Sequence, residues 1–385
     1  MTEHSNTNKP KFHAEITALP IDVEKENQRA QIATTAPEDM GFYSIRKTHL
    51  LNGVTKISEK SRNTSTDLNG LSTITHNDIS VKIDHQKAKK QITAATWQFL
   101  DFLLITHNES GASSREIRFT TEDFKAKRGL TNTQYANRVI KNNFDSLYEM
   151  SFSWRENARR GNKTISTAFD DVRVLTRKAG KEHIDGRGHY VAALTPEICE
   201  YFQTYGDKIL DYPSFLLKID TNKNEPAYYI GRKITEHKNV ATIKEQDNAD
   251  FLSVKTLLAA CPCIPSYEEV KKTDRLYTRR IIAPFVKGLE GLEPHIQWNF
   301  AKKKHEPLTD EECEKIENDI DLFLASYIEI TWTAYPDKMD AIDRRKKAIR
   351  KAEARHEKAK LNAETAIEKK KLEAAQAAKP ENTSA

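Results

Sequence analysis

Residues 120–177 constrain this chain more than any other stretch, because two short helical periods separated by a glycine turn pass directly into strand-like alternation. Helical spacing over 121–128 begins with Thr121, Glu122 and Asp123, whose side chains can satisfy unpaired amides, and stops at Gly129, which takes the left-handed backbone that a helix end requires. Leu130 reads as the apolar plug of the turn. A second helix is expected to open at Thr131, with Gln134 three residues on in capping-box spacing. Tyr135, Val139, Ile140, Phe144, Leu147 and Tyr148 recur along it at helical intervals, so one face is apolar. The other face and the leading end carry Asn132, Gln134, Asn137, Arg138, Lys141 and Asn142, side chains that can bond base edges and phosphates when a helix enters a major groove. A helix with one apolar and one polar face is also the ordinary surface helix, so this feature alone does not decide for nucleic acid.

After Met150 the period drops to two. Phe152 and Trp154 alternate with Ser151 and Ser153, residues 157–162 supply a turn with Arg159, Arg160 and Gly161, and Lys163 leads into a second strand at 165–174. Upstream, residues 94–107 (Trp97, Leu100, Leu103, Leu104) predict an apolar helix and 116–119 a short strand. Helix, strand, helix, helix, hairpin is the order of a winged helix, here with a basic hairpin tip beside a polar helix face. Residues 71–83, with Ile74, Ile79, Val81 and Ile83, read as strands leading into this domain.

The 385 residues leave room for two domains, since one typically holds roughly 100 to 200. Beyond a Gly-containing loop from residue 180, a strand at 190–194 and a helix at 195–204, the pattern recurs. Its helices are expected at 228–237, 253–260 and 273–292, with sheet and wing from 295–300, 302–305 and 327–331. Arg138-Val139-Ile140 running to Trp154 and Arg280-Ile281-Ile282 running to Trp298 share an ending, which suggests duplication. Arg275, Arg279 and Arg280 precede or line the third helix, where arginine can grip a guanine edge or a phosphate bidentately, unless Asp274, Glu268 or Glu269 engages it. Pro284 should kink that helix, because it lacks an amide proton and crowds the preceding turn.

The run from Glu225 to His237 (EPAYYIGRKITEH), followed by Leu252 to Leu258, Ile264 to Val270 and Thr278 to Phe285, resembles a family of replication initiator proteins carried by bacterial plasmids and integrative elements. The resemblance covers roughly residues 97–333 and weakens near the polar stretch 239–250. It implies two winged-helix domains that bind repeats in double-stranded DNA at an origin and recruit host replication proteins such as a helicase or its loader. A homodimer stays open as a further partner.

The expected fold is therefore α+β: two tandem winged-helix domains at 41–212 and 213–335, a disordered arm at 1–40, and a charged tail at 336–385, helical or disordered. The arm is rich in Thr, Asn, Glu, Lys and Pro and shows no sustained period, so little apolar burial would offset its ordering. The tail mixes Ala, Lys, Arg and Glu without an apolar seam, so a coiled coil is disfavoured. A net charge of +5 permits a nucleic-acid partner without requiring one. No apolar run is long enough to span a bilayer, no secretion signal opens the chain, and a cytoplasmic protein is expected. Cys199, Cys261, Cys263 and Cys313 fit neither a disulfide framework nor a zinc pattern and are expected to be buried thiols.

Two rival functions stand beside origin binding. Tyr229-x-x-x-Lys233 matches the nucleophile motif of rolling-circle nicking initiators, but such a site needs a histidine pair, and His295-Ile-Gln297 offers one histidine on the wrong side of the tyrosine. No phosphate loop, His-Glu zinc spacing or nucleophile elbow is present, so no enzyme, cofactor or metal is implied. A transcriptional repressor fits the helix-turn-helix equally well, and two dissimilar reading units favour an origin binder.

Overall fold

The computed structural model describes residues 41–333, apart from 59–63, 69, 85, 87–91, 111–113, 161–162, 185–186, 206–207, 244–247, 274–275, 304 and 317. The expected arm at 1–40 and tail at 336–385 lie outside the described residues. Strand β1 (Phe42–Lys47) and helix α1 (His49–Val54) lead into an antiparallel meander of β2 (Thr64–Thr66), β3 (Leu71–His76) and β4 (Ile79–Asp84). Ile74, Val81 and Ile83 are buried, while Thr73 and Lys82 stand opposite each other on the other face, the alternation of a sheet covered on one side.

The first helix-turn-helix follows as α2 (Ala94–Glu109), β5 (Glu116–Thr120), α3 (Thr121–Arg128) and α4 (Thr133–Tyr148). Helix α3 begins in a capping box between Thr120 and Asp123 and ends at Gly129, whose φ of +62° is left-handed, as the sequence requires. Helix α4 opens one residue later than expected: Asn132, not Thr131, caps it by accepting from the Tyr135 amide at 2.8 Å.

The hairpin of β6 (Met150–Arg160) and β7 (Lys163–Arg173) does form, but it is not the wing. Residues 157–160, expected in the turn, continue β6. Strand β6 pairs with β4, completing a five-stranded sheet in the order β2-β3-β4-β6-β7. Phe152 sits opposite Val81, with Ser151 and Ser153 opposite Lys82 and Ser80. Period-two alternation fixes which face is buried and leaves the partner strand open, so it served this sheet as well as a wing. The wing is β8 (Leu175–Ile184) with β9 (Arg187–Leu194), which joins β5 in the order β5-β9-β8. The supposed loop at Gly180 is strand: β8 carries register shifts between Leu175 and Gly180, and a glycine at such an irregularity weakens the alternation by which a strand is recognised. Helix α5 (Pro196–Tyr205), strand β10 (Lys208–Pro213), which pairs with β1, and the short α6 (Phe215–Lys218) connect to the next unit.

That unit repeats the order. Helix α7 (Glu225–Ile243), strand β11 (Phe251–Ser253) and helices α8 (Val254–Ala259) and α9 (Tyr267–Thr273) precede a π-helical turn at Thr278–Ile282 that continues into α10 (Ala283–Glu290). Strand β12 (Ile296–Ala301), helices α11 (Asp310–Lys315) and α12 (Ile320–Ala325), and β13 (Tyr327–Trp332) complete it in the sheet order β11-β13-β12. First strand, last strand, middle strand is the arrangement of the β5 sheet as well.

Three expectations for this unit change. The third helix is irregular within 273–292: a π turn at Thr278–Ile282 runs directly into α10, and Pro284 lies just after that irregularity. Residues 302, 303 and 305 are not strand, and the Lys302 amide donates to the Glu306 carbonyl at 2.7 Å. The shared Trp ending is not equivalent, because Trp154 lies on β6 and Trp298 on β12.

Candidate nucleic-acid interface

Helix α4 is seated on an aromatic cluster. Phe144 meets Phe99 of α2 edge-on at 4.9 Å between centroids, and Phe119 of β5 stacks on Tyr190 of β9 at 5.3 Å. Ala136, Ile140, Phe144 and Leu147 are buried, so the opposite face of α4 is turned to solvent. On it Gln134, Arg138 and Lys141 are all exposed, and their spacing places them on one stripe along the helix. Arg138 extends over the Tyr135 ring at 5.3 Å, and Lys125 of α3 donates to the Thr133 hydroxyl at 3.0 Å beside the helix start. The end of α4 nearest the turn thus presents amide and cationic groups from a helix whose backbone is fixed by packing, the condition for reading a groove.

Two sequence-predicted members play other parts. Asn132 is exposed, but its side-chain oxygen is committed to the helix cap. Asn137 points inward: its side-chain oxygen accepts from the hydroxyls of Thr121 and Tyr190, each at 2.8 Å, tying α4 to α3 and to the wing. Polar residues on an amphipathic helix carry no sign that separates a solvent contact from a buried cross-link.

Arg159 and Arg160 stand at the end of β6, with Arg160 opposite Lys163 of β7, so these three lie at the end of the five-stranded sheet and not on the wing. The wing strands carry Arg177, Lys181 and Arg187, in register with Ala193, Tyr190 and Ile184. These were missed because the segment was read as loop, although its clustered basic residues were a visible signal. In the second unit Arg279 and Arg280 are exposed on the π turn, while Ile281 and Ile282 beside them are buried. Arg275 lies outside the described residues.

Tyr229 is buried, with 2% of its surface exposed, and its hydroxyl has no hydrogen-bond partner. Burial, then the neighbouring Glu225 and Cys263, push its phenol well above the usual tyrosine range. His295 stacks on Phe215 with centroids 4.1 Å apart. All four cysteines are free, but only Cys261 is fully buried; Cys313 is exposed on α11, a helix with no buried residue.

Fold and surface together define an α+β chain in which a helix-turn-helix with a three-stranded sheet occurs twice. No protein-family model and no curated protein matches it. Among solved structures it is similar to a selenomethionine derivative of domains 2 and 3 of RctB, at a TM-score of 0.37 and 11% identity over 73% of this chain and 97% of that one. A second structure of RctB domains 2–3 matches at a TM-score of 0.32 and 10% identity, covering 64% of this chain and 83% of that one. Among the described residues no helix is long and apolar enough to cross a membrane.

Proposed function

We propose that this chain binds double-stranded DNA in a sequence-specific way as a replication initiator, reading repeats at an origin through two winged-helix units. The observation that carries the reading is the exposed stripe of Gln134, Arg138 and Lys141 on α4, together with exposed Arg279 and Arg280 at the matching helix of the second unit. Amides suit adenine edges and arginines guanine edges or phosphates, so the two helices carry complementary recognition chemistry. The wing strands also carry Arg177, Lys181 and Arg187, residue types that suit a phosphate backbone. Two topologically alike but chemically dissimilar readers suit a long asymmetric repeat better than the short palindrome of a repressor. The role is one of binding and recruitment, without catalysis, since the one nicking candidate, Tyr229, has its hydroxyl buried away from any phosphodiester. Host replication proteins would be recruited to the DNA-bound chain. The test is footprinting on DNA that the full-length protein selects from a random duplex pool. Two protected patches on one face of a directly repeated site support an initiator, and a single short palindrome supports the repressor.

A further inference from the structure

The first helices of the two helix-turn-helix units, α2 and α7, are bolted to each other by buried polar bonds. Asp101, at 1% exposure, accepts from the hydroxyls of Tyr228 at 2.7 Å and Tyr212 at 3.0 Å, and Arg232 closes an ion pair on the same carboxylate oxygen. One turn away, Gln98 donates to the carbonyls of Leu216, Leu217 and Ile219 at 2.6 to 3.1 Å, pinning the segment that joins the units. Glu225 accepts from the Ala94 amide at 3.1 Å, so the first residue of α7 caps the start of α2. A buried carboxylate held by three donors resists displacement from any of them, and loss of Arg232 would leave its charge without a cation.

We infer that Asp101 is a specificity-determining residue for the proposed DNA binding: by locking α2 to α7 it fixes the distance and rotation between the two reading helices, so the chain recognises only sites whose halves keep one spacing. Helix α4 rests on α2 through Phe144 and Phe99, and Gly288 of α10 leaves so little room that an added Cβ would come within 3.0 Å of Ile230 and Pro226 of α7. Each reading helix is therefore packed on a bolted helix. One inserted base pair displaces a half-site by roughly 3.4 Å and a tenth of a turn, more than a close-packed core absorbs.

This inference rests on the proposed DNA binding. Its test uses the full chain, the duplex it selects from a random pool, and derivatives with one to five base pairs inserted between the two protected patches. The parent is expected to lose at least about tenfold in affinity on a single insertion. Asp101→Asn with Arg232→Gln, which removes both charges, is expected to reduce that loss to less than about threefold while still binding the uninserted duplex. If the double variant does not fold, Tyr228→Phe takes its place: greater tolerance of insertion than the parent supports the assignment, and unchanged tolerance overturns it. A parent that binds inserted and uninserted duplexes alike overturns the inference alone, whereas a single protected patch overturns the two-unit reading and the inference with it. Failure to enrich any duplex overturns the DNA-binding reading and the inference with it.

Discussion

The hydroxyl of Tyr190 donates to the side-chain oxygen of Asn137 at 2.8 Å, joining the wing strand β9 to the helix proposed to read DNA. Asn137→Ala leaves that hydroxyl and the Thr121 hydroxyl without their shared acceptor, at a cost of about 1–3 kcal/mol. Arg138→Ala, on the exposed face of the same helix, should leave stability within about 0.5 kcal/mol and weaken DNA binding. Urea titrations and binding isotherms on both variants check the division. Equal stability loss in the two would contradict it.

The two tryptophans should separate in the same way. Trp154 is buried and stacks on Phe169 with centroids 4.4 Å apart, so Trp154→Ala is expected to cost about 3–5 kcal/mol. Trp298 is only partly buried, packed edge-on against Phe300 at 5.5 Å, and its alanine variant should cost roughly half as much. Chemical denaturation ranks them, and a larger loss at Trp298 would refute the packing described for β6.

Tyr229→Phe removes a buried hydroxyl that has no partner, so stability should hold or rise by up to about 1 kcal/mol. DNA binding should be unchanged. Loss of replication in this variant, with a covalent protein-DNA adduct in the parent, would restore the nicking reading.

Acid should destabilise the fold through its histidines. Burial holds the His107 ring below its ordinary value of 6.5, against the opposing hydrogen bond to the Ser114 carbonyl at 2.8 Å, and burial shifts His76 and His295 the same way. Protons bind these rings more tightly in the unfolded chain. Their contribution is fully present above about 6.5 and is lost as pH falls through the lowered folded values. The urea midpoint should therefore drop as pH falls below about 6.5, and His107→Gln should shallow the drop. A midpoint that rises over this window would contradict the assignment.

Much of the fold was legible where a physical signal is local. Helix α3 has the bounds that its acidic start and Gly129 dictate, and α2 and β5 follow from periodicity within a residue or two. What was illegible is what depends on partners. Alternation could not tell that β6 pairs with β4, nor could it expose β8, whose register shifts blur its period. Helices α11 and α12, a capping-box helix and a short apolar one, fall between 305 and 327, where no element was expected. Within the candidate interface, Gln134, Arg138 and Lys141 stand as their helical spacing places them, whereas Asn137 looks the same in the sequence and turns inward.

The most direct measurement is the affinity of the full chain for its selected duplex across salt, beside Arg138→Ala with Lys141→Ala and Arg279→Ala with Arg280→Ala. The parent should lose roughly 10³-fold or more between 50 and 200 mM salt, because cations displace condensed counterions. Each double variant should bind more weakly by roughly 1–3 kcal/mol per lost bidentate contact while still folding. Salt-independent binding, or double variants that bind like the parent, would contradict the account.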